Sequence, residues 1–175
     1  IQSTQGSFSY NNSRFDFFAS SVVAARAEPL TITGSIPYKL NFAAVEPESN
    51  SLNLNLNVKN EGFKLLNILS KGEVRWLNGK GDLNLNINGI FDRQQNRPRN
   101  LSADGNAIVQ DATIEARTLP KAPLTQVNGK INFNLNSMTV ENLQGNFGGG
   151  QISARGSLGL GKEISILPEN ILKLN

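Results

Sequence analysis

The chain has 175 residues, 18% of them charged, with a net charge of +3 and a pI near 9.3. It contains no Cys and no His, which removes disulfides, thiolate nucleophiles, the commonest general acid–base group and the commonest zinc ligands. No run approaches about eighteen consecutive apolar residues, so no stretch of it is a candidate membrane-spanning helix.

Basic residues are scattered, apart from Arg93, Arg97 and Arg99 in a Gln/Asn/Pro-rich stretch that reads as a loop. Nucleic-acid binders concentrate such charge and interleave it with aromatics, so no nucleic-acid partner is expected. The chain opens on Ile1 without a basic region leading into an apolar one, so no signal peptide is read. Its length suits one domain over 1–175, expected to be a segment of a longer repeat protein.

Phe15 to Val23 is the first strand candidate. From Leu30 to Phe42 apolar, Gly or Tyr residues occupy every even position, among them Ile32 and Ile36, while Thr, Ser, Pro, Lys or Asn occupy the odd ones. Successive strand side chains point to opposite faces, so this run has one apolar and one polar face. As a single strand it would span about 40 Å, with a bend or an edge at Pro37, which cannot donate to a ladder.

Three segments repeat the alternation against Asn: Leu52 to Val58, Leu83 to Asn88, and Ile131 to Asn136. They hold nine of the chain's 24 Asn. Asn is a poor strand former, so alternation and cross-strand pairing must make these strands, and a one-residue slip would turn every apolar side chain to water. Between the first two, Phe63, Leu66 and Leu69 recur at helical spacing, predicting a short helix over Gly62 to Ser70 that plugs one end of a sheet. Val74 and Trp76 share a strand face.

Leu101 to Ala107 alternates, then a phase change near Ile108-Val109 predicts a bulge before Ala112, Ile114 and Ala116. Leu143 breaks phase after Met138 and Val140, and Ile152, Ala154, Gly156, Leu158 and Leu160 close the series. Turn signals sit at Asn78-Gly79, Asn128-Gly129, Gly148 to Gly150 and Leu119 to Pro123, although a Gly inside a long strand would look similar. Gly81, Gly105 and Gly129 recur every 24 residues, a loose period of about one hairpin per repeat.

Catalysis without His or Cys would need convergent carboxylates. Asp111 and Glu115 would lie about 13 Å apart along a strand, too far for a glycosidase pair. Gly148 to Gly150 lacks the Lys-Ser/Thr and the helix of a phosphate loop, and Asp92, Asp104 and Asp111 are too dispersed for calcium. No enzyme, cofactor or metal is expected. The candidate site is therefore the apolar face, lined by Ile32, Ile36, Leu54, Leu56, Val74, Trp76, Leu83, Leu85, Ile87, Ile131, Phe133, Leu135, Ile152 and Ala154. Trp76 reads equally as a core aromatic. The expected fold is all-β, a long curved antiparallel sheet folded into a trough with an apolar interior, rather than a two-sheet sandwich.

Leu124 to Phe133 (LTQVNGKINF) and Phe147 to Gly156 (FGGGQISARG) resemble recurring lines of the TamB family. Leu30 to Tyr38 and Trp76 to Gly81 resemble its cyanobacterial and chloroplast-envelope members, and the similarity covers roughly Leu30 to Leu160. The resemblance implies stacked β-groove repeats, a β-taco, in a periplasm-spanning protein anchored in the inner membrane, or in the inner envelope of a chloroplast. It also implies work with a TamA-like outer-membrane β-barrel in outer-membrane biogenesis, by phospholipid transport, by help to barrel assembly, or both. The partners implied are lipid acyl chains or unfolded β-strands of client proteins, that barrel through other parts of the parent protein, and neighbouring repeats. The Asn-rich faces keep open a β-solenoid adhesin or surface scaffold, since stacked Asn residues can bond along a ladder. A carbohydrate-binding or carbohydrate-active module is a third possibility, and would call for clustered aromatics and carboxylates.

Overall fold

A computed structural model describes residues 2–22, 28–69, 71–117, 122–161 and 173–174. They form a single open sheet in which every strand lies antiparallel to the one before it, from β1 to β10 in chain order. The strands are β1 (Ser3–Asn11), β2 (Arg14–Val22), β3 (Leu30–Pro37), β4 (Ser51–Lys59) and β5 (Val74–Asp92). They continue with β6 (Arg97–Ala116), β7 (Leu124–Leu135), β8 (Ser137–Phe147), β9 (Gly150–Gly159) and the two-residue β10 (Lys173–Leu174). A 3-10 turn (Asn60–Lys64) running into α1 (Leu65–Leu69) interrupts the series between β4 and β5.

The all-β reading and the short helix hold, and there is one sheet rather than a sandwich. A solenoid stacks strands in parallel coils, whereas every pairing here is antiparallel.

Several local expectations are corrected. The Leu30–Phe42 run is not one strand: β3 stops at Pro37, which is fully buried, and residues 38–50 form an irregular connection. Pro37 has no N–H to extend the ladder, and the connection is tied down from elsewhere. The Leu40 amide donates to the Tyr10 hydroxyl at 3.1 Å, and Arg14 donates to the Ser49 carbonyl at 3.4 Å. Glu46 takes Lys39 at 2.6 Å and Arg93 at 2.5 Å; the hydrogen bonds from Lys39 and then Arg93 outweigh its slight desolvation and hold its carboxyl below the usual range.

The longest strands are β5 and β6, of 19 and 20 residues. Asn78-Gly79 and Asn128-Gly129 lie inside β5 and β7 rather than at turns, and Gly79 at φ +120° marks an irregularity in the β5–β6 register. Gly81, Gly105 and Gly129 fall one each in β5, β6 and β7, so their period tracks a strand and not a hairpin. The bulge predicted near Ile108-Val109 falls slightly later, where the register slips between Val109 and Ala112 around Asp111 at φ 47°. Arg97 and Arg99 belong to β6 rather than to a loop, with Arg99 2.9 Å from Asp92. Leu119 to Pro123 falls mostly outside the described residues.

The tight turns are Asn12-Ser13 (φ 47° and 56°) and Gly148-Gly149 (φ 57° and 86°). Two left-handed residues match the twist of the flanking strands, and Asn and Gly adopt that geometry at little cost. The chain also turns at Leu135-Asn136, with Leu135 at φ 52°, a position that carried no turn signal.

Phe63 and Trp76 anchor the core at one end of the sheet. Their rings stack 4.8 Å apart at 29°, and Leu30, Val58, Ala112 and Val127 join the same buried cluster. A Cβ on Gly81 would sit 2.6 Å from the Phe63 ring, so this glycine is the seat that lets the helical segment approach the sheet.

Candidate functional site

Register converts the sequence alternation into continuous rows. One row runs Gly6–Ala19–Ile32–Leu56–Leu85–Gly105–Phe133–Met138–Leu158, crossing nine strands without a polar side chain. A second runs Phe8–Phe17–Gly34–Leu54–Ile87–Ala103–Leu135, and a third runs Val58–Leu83–Ala107–Ile131–Val140–Gly156. With strands about 4.8 Å apart, the nine-strand row is about 38 Å long, more than the roughly 30 Å hydrocarbon core of a bilayer.

The other face is equally regular. Thr31, Asn57, Asn84, Asn106, Asn132, Thr139 and Ser157 are consecutive cross-strand partners. The Asn side chains bond to one another: Asn53 donates across the β4–β5 pairing to Asn88 at 2.7 Å and to Asn86 at 3.1 Å, and Asn57 donates along β4 to Asn55 at 2.7 Å. The cross-strand amide bonds offset a poor intrinsic strand propensity.

The sequence-predicted lining residues divide by cover. Ile32, Ile36, Leu54, Leu56, Leu83, Leu85, Ile87, Ile131 and Phe133 are half-buried, and Leu56 and Leu83 pack against the cluster that Phe63 and Trp76 anchor. Trp76, 1% exposed, and the partly buried Val74 lie toward the helical end, where Phe63 covers the indole. Leu135 is 57% exposed at the β7–β8 turn. Ala154 is buried opposite Leu143, and Ile152, opposite Gly145, is exposed beside a polar cleft.

Sequence reasoning missed the first part of this surface. The sequence does not mark β1 as a strand, because Ser3–Asn11 carries only Phe8 and Tyr10 as large apolar residues. The only signal was the Asn-Ser pair at positions 12 and 13. Phe15 lies 4.8 Å from Tyr10, 6.0 Å from Tyr38 and 6.1 Å from Phe8, forming an aromatic group at the end of the sheet away from the helix.

Chemically, the apolar face can remove hydrocarbon from water. No group of three or more potential metal ligands occurs among the described residues. No family model matches the chain, and comparisons with curated proteins and with solved structures likewise return no match.

Proposed function

We propose that this chain is a hydrophobic β-groove segment whose apolar face cradles lipid acyl chains in a longer, periplasm-spanning protein of outer-membrane biogenesis. The observation that carries the reading is the in-register apolar face: three rows, the longest crossing nine strands, with Ile32, Leu56, Leu85 and Phe133 half-buried along it and, among the described residues, a helical segment packed only at one end of it. A soluble domain seldom leaves so continuous an apolar surface without a partner. In this reading the sheet curves over the face as a trough, and a bound chain supplies the contacts that a second sheet would otherwise make.

The energetics suit a passive carrier. Each CH₂ withdrawn from water contributes about 0.8 kcal/mol, so the cradle needs no charge, metal or energy source of its own. The neutral Asn face stays wet on the opposite side. The cellular setting, and the link to a TamA-like barrel, rest on the resemblance of Leu124 to Phe133 and Phe147 to Gly156 to TamB lines. A client β-strand is a second occupant, favoured by the outer edge of β1, which ends the sheet.

The test is one charge on the lining. Leu85 is half-buried in the middle of the nine-strand row. Leu85→Asp is expected to leave the fold intact, because water can reach the carboxylate in an open groove, while abolishing lipid co-purification in native mass spectrometry and outer-membrane integrity in the full-length parent. Asn84→Asp, on the other face, is expected to be silent in both assays. A Leu85→Asp protein that folds, retains lipid and supports the membrane normally would refute the proposal.

A further inference from the structure

A second site lies on the polar side, where the bulges concentrate. The β6–β7 register slips around Ala112, the β7–β8 register between Thr125 and Asn128, and the β8–β9 register between Val140 and Leu143. Asp111 (φ 47°) and Gln126 (φ 51°) are both left-handed there, a conformation costly for residues other than Gly and concentrated at functional sites. Beside these slips lies a cleft of about 870 Å³ whose polar lining includes Asp111, Gln126, Asn128, Gln144, Asn146 and Gln151. Ile152 is its one large apolar side chain.

Part of this lining is pre-set. Asn128 accepts the Asp111 amide at 2.9 Å and donates to the Gln126 carbonyl at 2.7 Å, while Asn146 donates to the Gln126 side chain. The side chains of Asp111, Gln144 and Gln151 make no hydrogen bond to protein among the described residues. They present carboxamide donors and acceptors beside one carboxylate.

We propose that this cleft binds a neutral, hydroxyl-rich ligand of the oligosaccharide class. The lining chemistry disfavours anions and acyl chains. It carries no Lys or Arg for a phosphate or sulfate, and Asp111 repels anions. A single Ile gives nothing for an acyl chain to displace water from. Carboxamides both donate and accept, which matches vicinal hydroxyls that do the same. With no stacking ring in the lining, affinity is expected to be weak, on the order of millimolar. The site does not depend on the lipid reading of the opposite face.

The experiment is saturation-transfer NMR on the purified protein with a panel of neutral hexasaccharides built from glucose, galactose, mannose or N-acetylglucosamine, against oligogalacturonate as the anionic control. Gln144→Ala and Gln151→Ala remove side chains without protein partners, so melting temperatures are expected to be unchanged. One or more neutral oligosaccharides should bind, each variant should weaken binding about fivefold, and oligogalacturonate should not bind. Absence of transfer from every neutral sugar at about 20 mM, equal binding by the folded variants, or equal binding of the anionic chain would each overturn the assignment.

Discussion

A Cβ at Gly105 would stand 2.1 Å from the Asn84 carbonyl oxygen, and the residue adopts φ +143°. The position sits in the nine-strand row between Leu85 and Phe133, so the missing side chain lets β5 and β6 close their ladder. Gly105→Ala is therefore expected to cost about 2–4 kcal/mol, read from urea denaturation midpoints. Gly150→Ala is the control: its nearest contact would be 3.7 Å away, and the change is expected to be within about 0.5 kcal/mol. Equal stability of the two variants would show that the close approach at Gly105 is not real. On the polar face, the Asn columns work as neighbours: Asn53 reaches two amides across one strand pairing.

At the scale of the element, the segment over Asn60–Leu69 is too short to be stable alone and owes its place to the sheet below it. Phe63 supplies the contact, 8% exposed and stacked on the only tryptophan. The Asn67 side chain adds a second tie by accepting the Trp76 amide at 2.7 Å. Phe63→Ala is expected to cost about 3 kcal/mol and to red-shift the Trp76 emission as water reaches the indole. Lost stability without a spectral shift would mean that Trp76 is covered by something other than the helical segment. The same physics explains β3: a proline ends the ladder, and the apolar-polar alternation that continues to Phe42 leaves its ring 83% exposed.

For the whole molecule, a meander of sequential neighbours leaves two edges. β10 covers two residues of β9, while β1 is the terminal strand on the other side, with Phe8 75% exposed. Free edges with exposed apolar side chains recruit other strands, and in a repeat protein the preceding segment would occupy that position. The isolated chain is expected to self-associate with rising concentration in sedimentation velocity, and Phe8→Lys is expected to suppress this without lowering the melting temperature. A wild-type chain that stays monomeric up to about 0.5 mM, where a weak millimolar edge contact would already show, would count against an available edge.

The sequence by itself determined the sheet class and, for the Asn-alternating strands, the two faces and the residues on each. A period of two is a local property of the extended chain, and Leu54, Leu56, Leu83, Leu85, Ile131 and Phe133 share a face because the alternation and the ladder register agree. The helical insert was legible for the same reason, from a period change. Tertiary structure alone decided which glycines turn and which lie inside strands, because Asn-Gly suits both a hairpin and a strand that a neighbour approaches closely. It also decided that Trp76 is fully buried while Leu85 is half-buried, since the cover on Trp76 depends on Phe63 arriving from another element. The polar cleft was illegible in one dimension: Asp111, Gln126, Gln144 and Gln151 come from four strands, and only the pairing register, with its slips at β6–β7 and β7–β8, brings them to one cleft.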